Sequence, residues 1–265
     1  MEIKEYVAMR KNWMKNEIST FKEIPHLVII QVNQDEASNA YVKGKIKDLT
    51  FIGAKYTHDL LPLDTTEEAL IDRINMYNND NTVDAILVQM PLPKHISEET
   101  IKNTISPLKD VDGFHALSEY VACTPKGIID YLKNENVDFT GKNACVIGRS
   151  NIVGKPVAKL LLNLNCNVTV LHSKTTKEDM AFYLRHADIV VVAVGRKHFI
   201  KDQELKPSAI LVDVGINRFE GKLYGDCAPG LNVALQTPVP GGVGLLTRVA
   251  LLENLFLCYN NRRSN

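Results

Sequence analysis

The sequence predicts an α/β protein with two lobes and a cleft between them. Six short apolar runs are rich in β-branched residues and bounded by polar residues or glycine, as buried parallel strands usually are. Helix-like segments stand between these runs, and this alternation is typical of right-handed β-α-β crossovers in a parallel sheet. The alternation pauses near residues 115–125, which predicts a lobe boundary there. In such sheets ligands bind at the carboxyl ends of the strands.

Strands are predicted at 26–32, 84–90, 143–148, 167–172, 188–195 and 209–215. Helices are predicted at 36–52, 66–78, 124–134, 153–164 and 176–186. A last helix at about 246–259 follows a Pro/Gly-rich stretch, and we expect it to pack back on the first lobe. The first lobe then comprises residues 1–121 with 246–265, and the second comprises residues 122–245.

The composition argues against several classes of protein, including those that bind nucleic acid, anionic membranes or metal ions. The 265 residues include 31 Lys plus Arg and 31 Asp plus Glu, a balance that favours neither nucleic acid nor an anionic membrane as partner. The five cysteines are irregularly spaced, and CxxC, HxxxH and HExxH motifs are absent, so we expect reduced thiols and no metal. The first twenty residues mix charges throughout and do not resemble a secretory signal. We therefore expect a cytoplasmic location.

A glycine-containing turn follows the strand predicted at 143–148. With a helix opening near Val153, it would place backbone N–H groups where a pyrophosphate binds. It is not a Walker loop, because five residues separate Gly148 from Gly154 and Pro156 stands at the Ser/Thr position. It also lacks the middle glycine of GxGxxG, so this turn alone fits a plain strand-helix connection equally well.

The next strand ends at His172-Ser173-Lys174, without the carboxylate that would accept hydrogen bonds from a ribose 2′-OH. Arg149 and Ser150 in the turn could instead bind a 2′-phosphate. These residues favour NADP over NAD and predict a Rossmann-like NADP-binding second lobe. Gly195 and Gly215 end later strands, where a nicotinamide ring could approach the backbone.

Tyr41 and Lys45 stand four residues apart and share one face of a predicted helix. Val42, Ile46 and Leu49 form the adjoining apolar stripe, so the pair should lie at the edge of the core. Partial desolvation there would lower the pKa of the lysine towards the range useful for proton transfer. An ordinary snorkelling lysine beside a half-buried tyrosine is the alternative. Short-chain dehydrogenases carry a similar pair, but downstream of their nucleotide-binding turn, and here it lies upstream.

Gln89 ends a predicted strand just before two prolines, Pro91 and Pro93. Its amide could hydrogen-bond Lys45 or a ligand, or it could simply cap the turn. Asp110 and Asp112 stand beside Gly113, and one of them could make a turn while the other binds a ligand.

Taken together, these segments resemble the methylenetetrahydrofolate dehydrogenase/cyclohydrolase family. Eight strings occur in the family's order over nearly the whole chain, which makes the resemblance highly specific. They are S-x-x-YVxxK at 38–45, LVQMPLP at 87–93, KDVDGFH at 109–115, CTPKG at 123–127, GRSNIVGKP at 148–156, HSKT at 172–175, VDVGINR at 212–218 and TPVPGGVG at 237–244.

The resemblance implies roles for individual residues. Lys45 resembles the family's catalytic lysine, Tyr41 the tyrosine that positions the pterin and the lysine, Gln89 the glutamine that tunes the lysine, and Asp112 the carboxylate that anchors the pterin. Further folate contacts are implied for Val88, Met90, Pro240, Gly241, Gly242, Val243 and Gly244. Gly148, Arg149, Ser150, Ser173, Gly195 and Ile216 match cofactor positions, the last at the nicotinamide end.

The implied activity is oxidation of 5,10-methylenetetrahydrofolate with NADP+, followed by hydrolysis of the methenyl product to 10-formyltetrahydrofolate. The family also implies a homodimer and a role in purine biosynthesis. The remaining alternatives are a two-lobed NADP dehydrogenase of another small metabolite, and a folate- or nucleotide-binding protein without turnover.

The sequence departs from the family pattern in four places. The stretch from His115 to Cys123 is shorter than usual and lacks the family's Asn-x-Gly. Ala122 replaces a proline, Leu245-Leu246 stands where Pro-Met is common, and Asn33 replaces a glycine. The shortened stretch borders the lobe boundary, so either the opening of the cleft or the balance between the two activities could be unusual.

Overall fold

The computed structural model describes residues 1–201 and 205–264. It divides into two compact units. The first unit comprises Ala8–Cys123 and the chain from Arg248 on, and the second comprises Met1–Val7 and Thr124–Thr247. Two helices, α1 (Ile3–Ile18) and α8 (Val243–Ser264), contribute residues to both units. None of the described helices combines the length and the apolar character needed to cross a membrane.

The first unit contains a parallel sheet of three strands in the order β2-β1-β3. β1 (His26–Gln31) and β3 (Ala85–Val88) are fully buried, whereas the edge strand β2 (Lys55–Leu60) is largely exposed. The unit also contains α2 (Glu36–Ile52), α3 (Glu67–Asn79) and α4 (Glu98–Thr104). Asp35 fixes the start of α2 by accepting the Ser38 N–H at 2.9 Å, as N-cap aspartates do.

The second unit contains a parallel sheet of five strands in the order β10-β7-β6-β4-β5. Its elements are α5 (Cys123–Asn134), β4 (Asn143–Ile147), α6 (Gly154–Asn163), β5 (Asn167–Leu171), α7 (Lys177–His186), β6 (Ile189–Val192), β7 (Ile210–Asp213), the antiparallel hairpin β8 (Asn217–Phe219) and β9 (Lys222–Tyr224), and β10 (Leu235–Gln236). The chain places β5 on one side of β4 and then crosses to β6 on the other. This reversal is the position where doubly wound sheets bind ligands.

All six predicted strands and all six predicted helices are present, with ends shifted by a few residues. The prediction that every strand is buried was wrong for β5, an edge strand with exposed positions at both Asn167 and Val170. The helices α1 and α4 and the strands β2, β8, β9 and β10 were not predicted. The helix α4 and the strands β2, β8, β9 and β10 are polar or very short and lack the apolar periodicity on which such predictions depend. In α1 the buried residues Ile3, Tyr6, Val7 and Met14 do stand at helical spacing, and the prediction missed this pattern.

Candidate functional site

Lys45 is buried at the side of α2, with only 5% of its surface exposed. Its Nζ donates a hydrogen bond to Gln89 Oε1 at 3.1 Å and lies 5.0 Å from the centre of the Tyr41 ring. A lysine in this position is not snorkelling to solvent. The structure therefore favours the desolvated lysine over the ordinary one.

Burial lowers the pKa of Lys45, because the ammonium loses its hydration. The Asp112 carboxyl and the Cys123 thiol oppose this lowering, and the Arg248 guanidinium adds to it. Burial in turn raises the pKa of Asp112, against the opposing attraction of Lys45. Both groups are thus shifted towards their neutral forms, which suits a site that exchanges protons near neutral pH.

Gln89 both contacts Lys45 and caps the turn, the two interpretations that its place in the sequence left open. Its side-chain carbonyl accepts from Lys45, while its Nε2 donates to the Met90 carbonyl at 2.6 Å and steadies the turn. Val88 closes β3 and is buried, and Met90 packs partly buried against the core of the first unit.

The two aspartates have separate roles. Asp110 accepts the His115 N–H at 2.8 Å and therefore makes the turn. Asp112 interacts electrostatically with Lys45. The structure thus brings Tyr41, Lys45, Gln89 and Asp112 together in the first unit.

The shortened stretch closes tightly over Gly113, whose φ of +70° is left-handed. A Cβ there would lie 2.7 Å from the Ala122 nitrogen and from the Tyr120 oxygen, so only glycine fits. Asn254 of α8 donates to the carbonyls of Val111 and Val121, at 2.9 and 3.0 Å, and ties both ends of the stretch to the helix.

The second unit contains a cavity of about 670 Å³ at the carboxyl ends of its central strands. Gly148 lines it with a φ of +120°, and a Cβ there would lie 2.2 Å from the Ala193 oxygen. A Cβ at Gly154 would lie 2.3 Å from the Gly148 oxygen, so α6 begins in direct contact with the turn. Both glycines are required by this close approach of backbone segments.

The charge of the cavity lining is positive. The cations in the wall are Arg149, Lys177 and Arg196, and the wall has no carboxylate among the described residues. Ser173 also lines it. A polyanionic ligand fits a wall of this kind.

The other predicted cofactor residues lie outside this wall. The Ser150 hydroxyl accepts the N–H groups of Val153 and Gly154, at 3.2 and 3.3 Å, and so caps the start of α6. Gly195 has a left-handed φ of +63° between two residues of the wall. Ile216 follows β7 and is 57% exposed.

A buried carboxylate that the sequence did not single out organises the loop after β6. Asp226 is fully buried and accepts the N–H groups of Val194, Gly195 and Arg196, at 2.7, 2.9 and 2.8 Å. A Cβ at Gly215 would lie 2.2 Å from Asp226 Oδ1, so Gly215 leaves room for this carboxylate. Asp226 stands in no motif that we identified, and only its backbone partners in the fold reveal its role.

Two domain models of one protein family match nearly the whole chain. A model of the tetrahydrofolate dehydrogenase/cyclohydrolase catalytic domain matches residues 1–112, and a model of the NAD(P)-binding domain of the same family matches residues 122–263. The chain belongs to the tetrahydrofolate dehydrogenase/cyclohydrolase family. Within this family, α8 from Arg248 on lies with the catalytic domain, although the NAD(P)-binding model extends over it.

Its relatives match over almost their full length. The bifunctional protein FolD of Campylobacter hominis is 47% identical over 96% of this chain and 95% of that protein. The bifunctional protein FolD of Bacillus subtilis is 43% identical over 95% of this chain and 94% of that protein.

Solved structures of family members share the fold. The bifunctional enzyme FolD of Campylobacter jejuni has a TM-score of 0.94 at 39% identity and covers 98% of each chain. The Trypanosoma brucei enzyme, solved with NADP cofactor and an inhibitor, has a TM-score of 0.95 at 30% identity, over 100% of this chain and 98% of that one.

The 240–244 segment lies in the second unit, where it leads into α8. The other predicted folate contacts lie in the first unit. Their meeting across a cleft stays a prediction.

Proposed function

We propose that this chain oxidises 5,10-methylenetetrahydrofolate and hydrolyses the methenyl product to 10-formyltetrahydrofolate. In the first step the bridging carbon loses a hydride, for which bound NADP+ supplies the acceptor. In the second step water adds to the cationic carbon, a proton is lost, and one carbon–nitrogen bond opens. The single observation that carries the proposal is the buried Lys45, bonded to Gln89 and coupled to Asp112, in a chain of this family.

Lys45 is the catalytic residue for the proton transfers of the hydrolytic step. Burial lowers the pKa of its ammonium, which raises the fraction that can accept a proton near neutral pH. Gln89 orients Nζ through its side-chain oxygen, and Tyr41 lies beside the amine with a ring on which the pterin can stack. Asp112, Val88 and Met90 complete the folate contacts in the catalytic domain. The segment from Pro240 to Gly244, including Gly241, Gly242 and Val243, supplies those of the second unit.

The cavity in the second unit fits NADP. Gly148 lines the cavity while its Cα packs against the Ala193 backbone, and the wall is basic without a described carboxylate. Arg149 and Ser173 hold the 2′-phosphate, and the N-terminal end of α6, with Ser150, faces the pyrophosphate. Gly195 and Ile216 border the nicotinamide end.

Replacing Arg149 by alanine is expected to weaken NADP binding by about 10- to 100-fold and NAD binding by much less, because only NADP has the 2′-phosphate that the Arg149 guanidinium is proposed to bind. Titration calorimetry of the variant with each cofactor measures the difference. Lys159→Ala, an exposed basic residue on α6, is the matched control and should leave both affinities unchanged. Equal losses for both cofactors would refute the 2′-phosphate assignment.

The experiment that tests the function is a spectrophotometric assay of the purified chain with 5,10-methylenetetrahydrofolate and either NADP+ or NAD+. Following the reduced cofactor and the methenyl intermediate separately reports both steps and the cofactor choice. Binding of both ligands without turnover would instead favour a protein that has lost catalysis. Dehydrogenation of another metabolite only would favour a different NADP enzyme.

We also propose that the chain acts in the cytoplasm as a homodimer and supplies one-carbon units to purine biosynthesis. The dimer is supported by a groove of about 350 Å³ between β5 and α7 that Phe182 and Tyr183 line, since exposed apolar surface often marks an interface. Sedimentation equilibrium of the purified chain measures its oligomeric state.

A further inference from the structure

The middle of α2 contains an unexpected glycine. Gly44 precedes Lys45, well inside a helix of 17 residues, where glycine costs about 1 kcal/mol relative to alanine. Such a glycine usually has a packing reason. Here a Cβ at Gly44 would lie 2.1 Å from Nη1 of Arg248, so the guanidinium rests directly on the helix backbone next to Lys45.

The guanidinium is held there by a buried carboxylate. Asp48, one helical turn beyond Gly44, is only 2% exposed. Its Oδ2 lies 2.9 Å from Arg248 Nε, and its Oδ1 accepts from Lys11 Nζ at 2.9 Å. Two cations and one anion therefore lie along the stripe of α2 formed by Gly44 and Asp48, which adjoins Lys45. Buried charges are costly unless each is paired, and a cluster of this kind suits a role beyond stability.

We propose that Arg248, anchored by Asp48, is a positioning residue that keeps Lys45 in its reactive, uncharged form during the hydrolytic step. The proposal rests on the proposed role of Lys45. The Arg248 guanidinium packs against Gly44 and disfavours a second positive charge on Lys45, and Asp48 offsets part of the Arg248 charge through their ion pair. Among the described residues, the other groups that act on Lys45 include Tyr41, Gln89, Asp112 and Cys123.

Substitution of Arg248 and substitution of Asp48 should change the proton affinity of Lys45 in opposite directions. Arg248→Met removes a cation and leaves Asp48 paired with Lys11 alone, so Lys45 holds its proton more readily. Asp48→Asn removes the anion and leaves both cations uncompensated, so Lys45 holds its proton less readily. The double variant removes one charge of each sign and restores the original balance.

The test is the pH profile of kcat for cyclohydrolase activity, corrected for uncatalysed hydrolysis, in these three variants. The acidic limb should move by about half to one pH unit to higher pH in Arg248→Met, and by a similar amount to lower pH in Asp48→Asn. In the double variant the acidic limb should lie close to its position in the unmodified protein. A disturbance of folding alone would not produce opposite shifts or their cancellation.

Shifts in the same direction, or no shift in either single variant, would overturn the proposal. The Lys45→Met variant distinguishes a failure of the Arg248 and Asp48 proposal from a failure of the proposed role of Lys45. Loss of hydrolysis in Lys45→Met together with unmoved profiles removes only Arg248 and Asp48 from the mechanism. Retained hydrolysis in Lys45→Met removes Lys45 itself, and the present proposal with it.

Discussion

Replacing Lys45 by methionine is expected to reduce cyclohydrolase activity by at least about 100-fold, since positioned general acid–base groups typically contribute factors of 10² to 10⁴. Methionine fills a similar volume but cannot exchange a proton. NADP affinity should be unchanged, because the basic cavity lies in the other unit. Stopped-flow decay of the methenyl substrate measures the first quantity, and calorimetric titration the second.

The matched control is Lys43→Met, on the same helix but exposed to solvent. It should retain full activity, because surface substitutions seldom change stability by more than about 0.5 kcal/mol and Lys43 lies away from the site. The folded state of both variants can be compared by their melting temperatures. Hydrolysis at an unchanged rate in Lys45→Met would exclude the lysine from the mechanism.

Replacing Asp226 by alanine is expected to destabilise the second unit by about 3–5 kcal/mol, as removal of one partner from a buried charged network usually does. Three backbone N–H groups, of Val194, Gly195 and Arg196, would lose their acceptor. The loop bearing them forms part of the cavity wall, so NADP affinity should fall as well. Calorimetric melting and NADP titration measure the two effects.

Asp226→Asn is the informative companion variant. It keeps one carbonyl acceptor but introduces an N–H₂ donor facing backbone donors, so we expect a loss intermediate between the native chain and Asp226→Ala. Asp138→Ala, an exposed carboxylate of the same unit, should change the melting temperature little. If Asp226→Ala kept both stability and NADP affinity, the proposed support of the cofactor loop would be wrong.

Much of the fold could be predicted because buried strands and helices place apolar residues at regular spacings in the sequence. β1 and β3 are buried on both faces, so their residues are apolar except His26 and Gln31 at the two ends of β1, and α2 and α6 repeat apolar residues at helical spacing. β2 was not predicted because its residues are mostly polar and exposed, so it has no continuous apolar run. The chain around Gly113 was recognised as shortened, but its closure under α8 was not, since Asn254 lies far away in sequence.

The sequence by itself determined the family, the two α/β domains, and the residue types of the site, because those follow from local patterns and motifs. Only the tertiary structure decided that Lys45 is desolvated, and that Asp110 makes the turn while Asp112 couples to the lysine. Only the tertiary structure likewise decided that Asp226 binds the backbone after β6 and that Asp48 pairs with Arg248. The physical reason is that burial, hydrogen bonding and charge coupling depend on which distant residues meet. A local sequence pattern does not specify these contacts between residues that are distant in sequence.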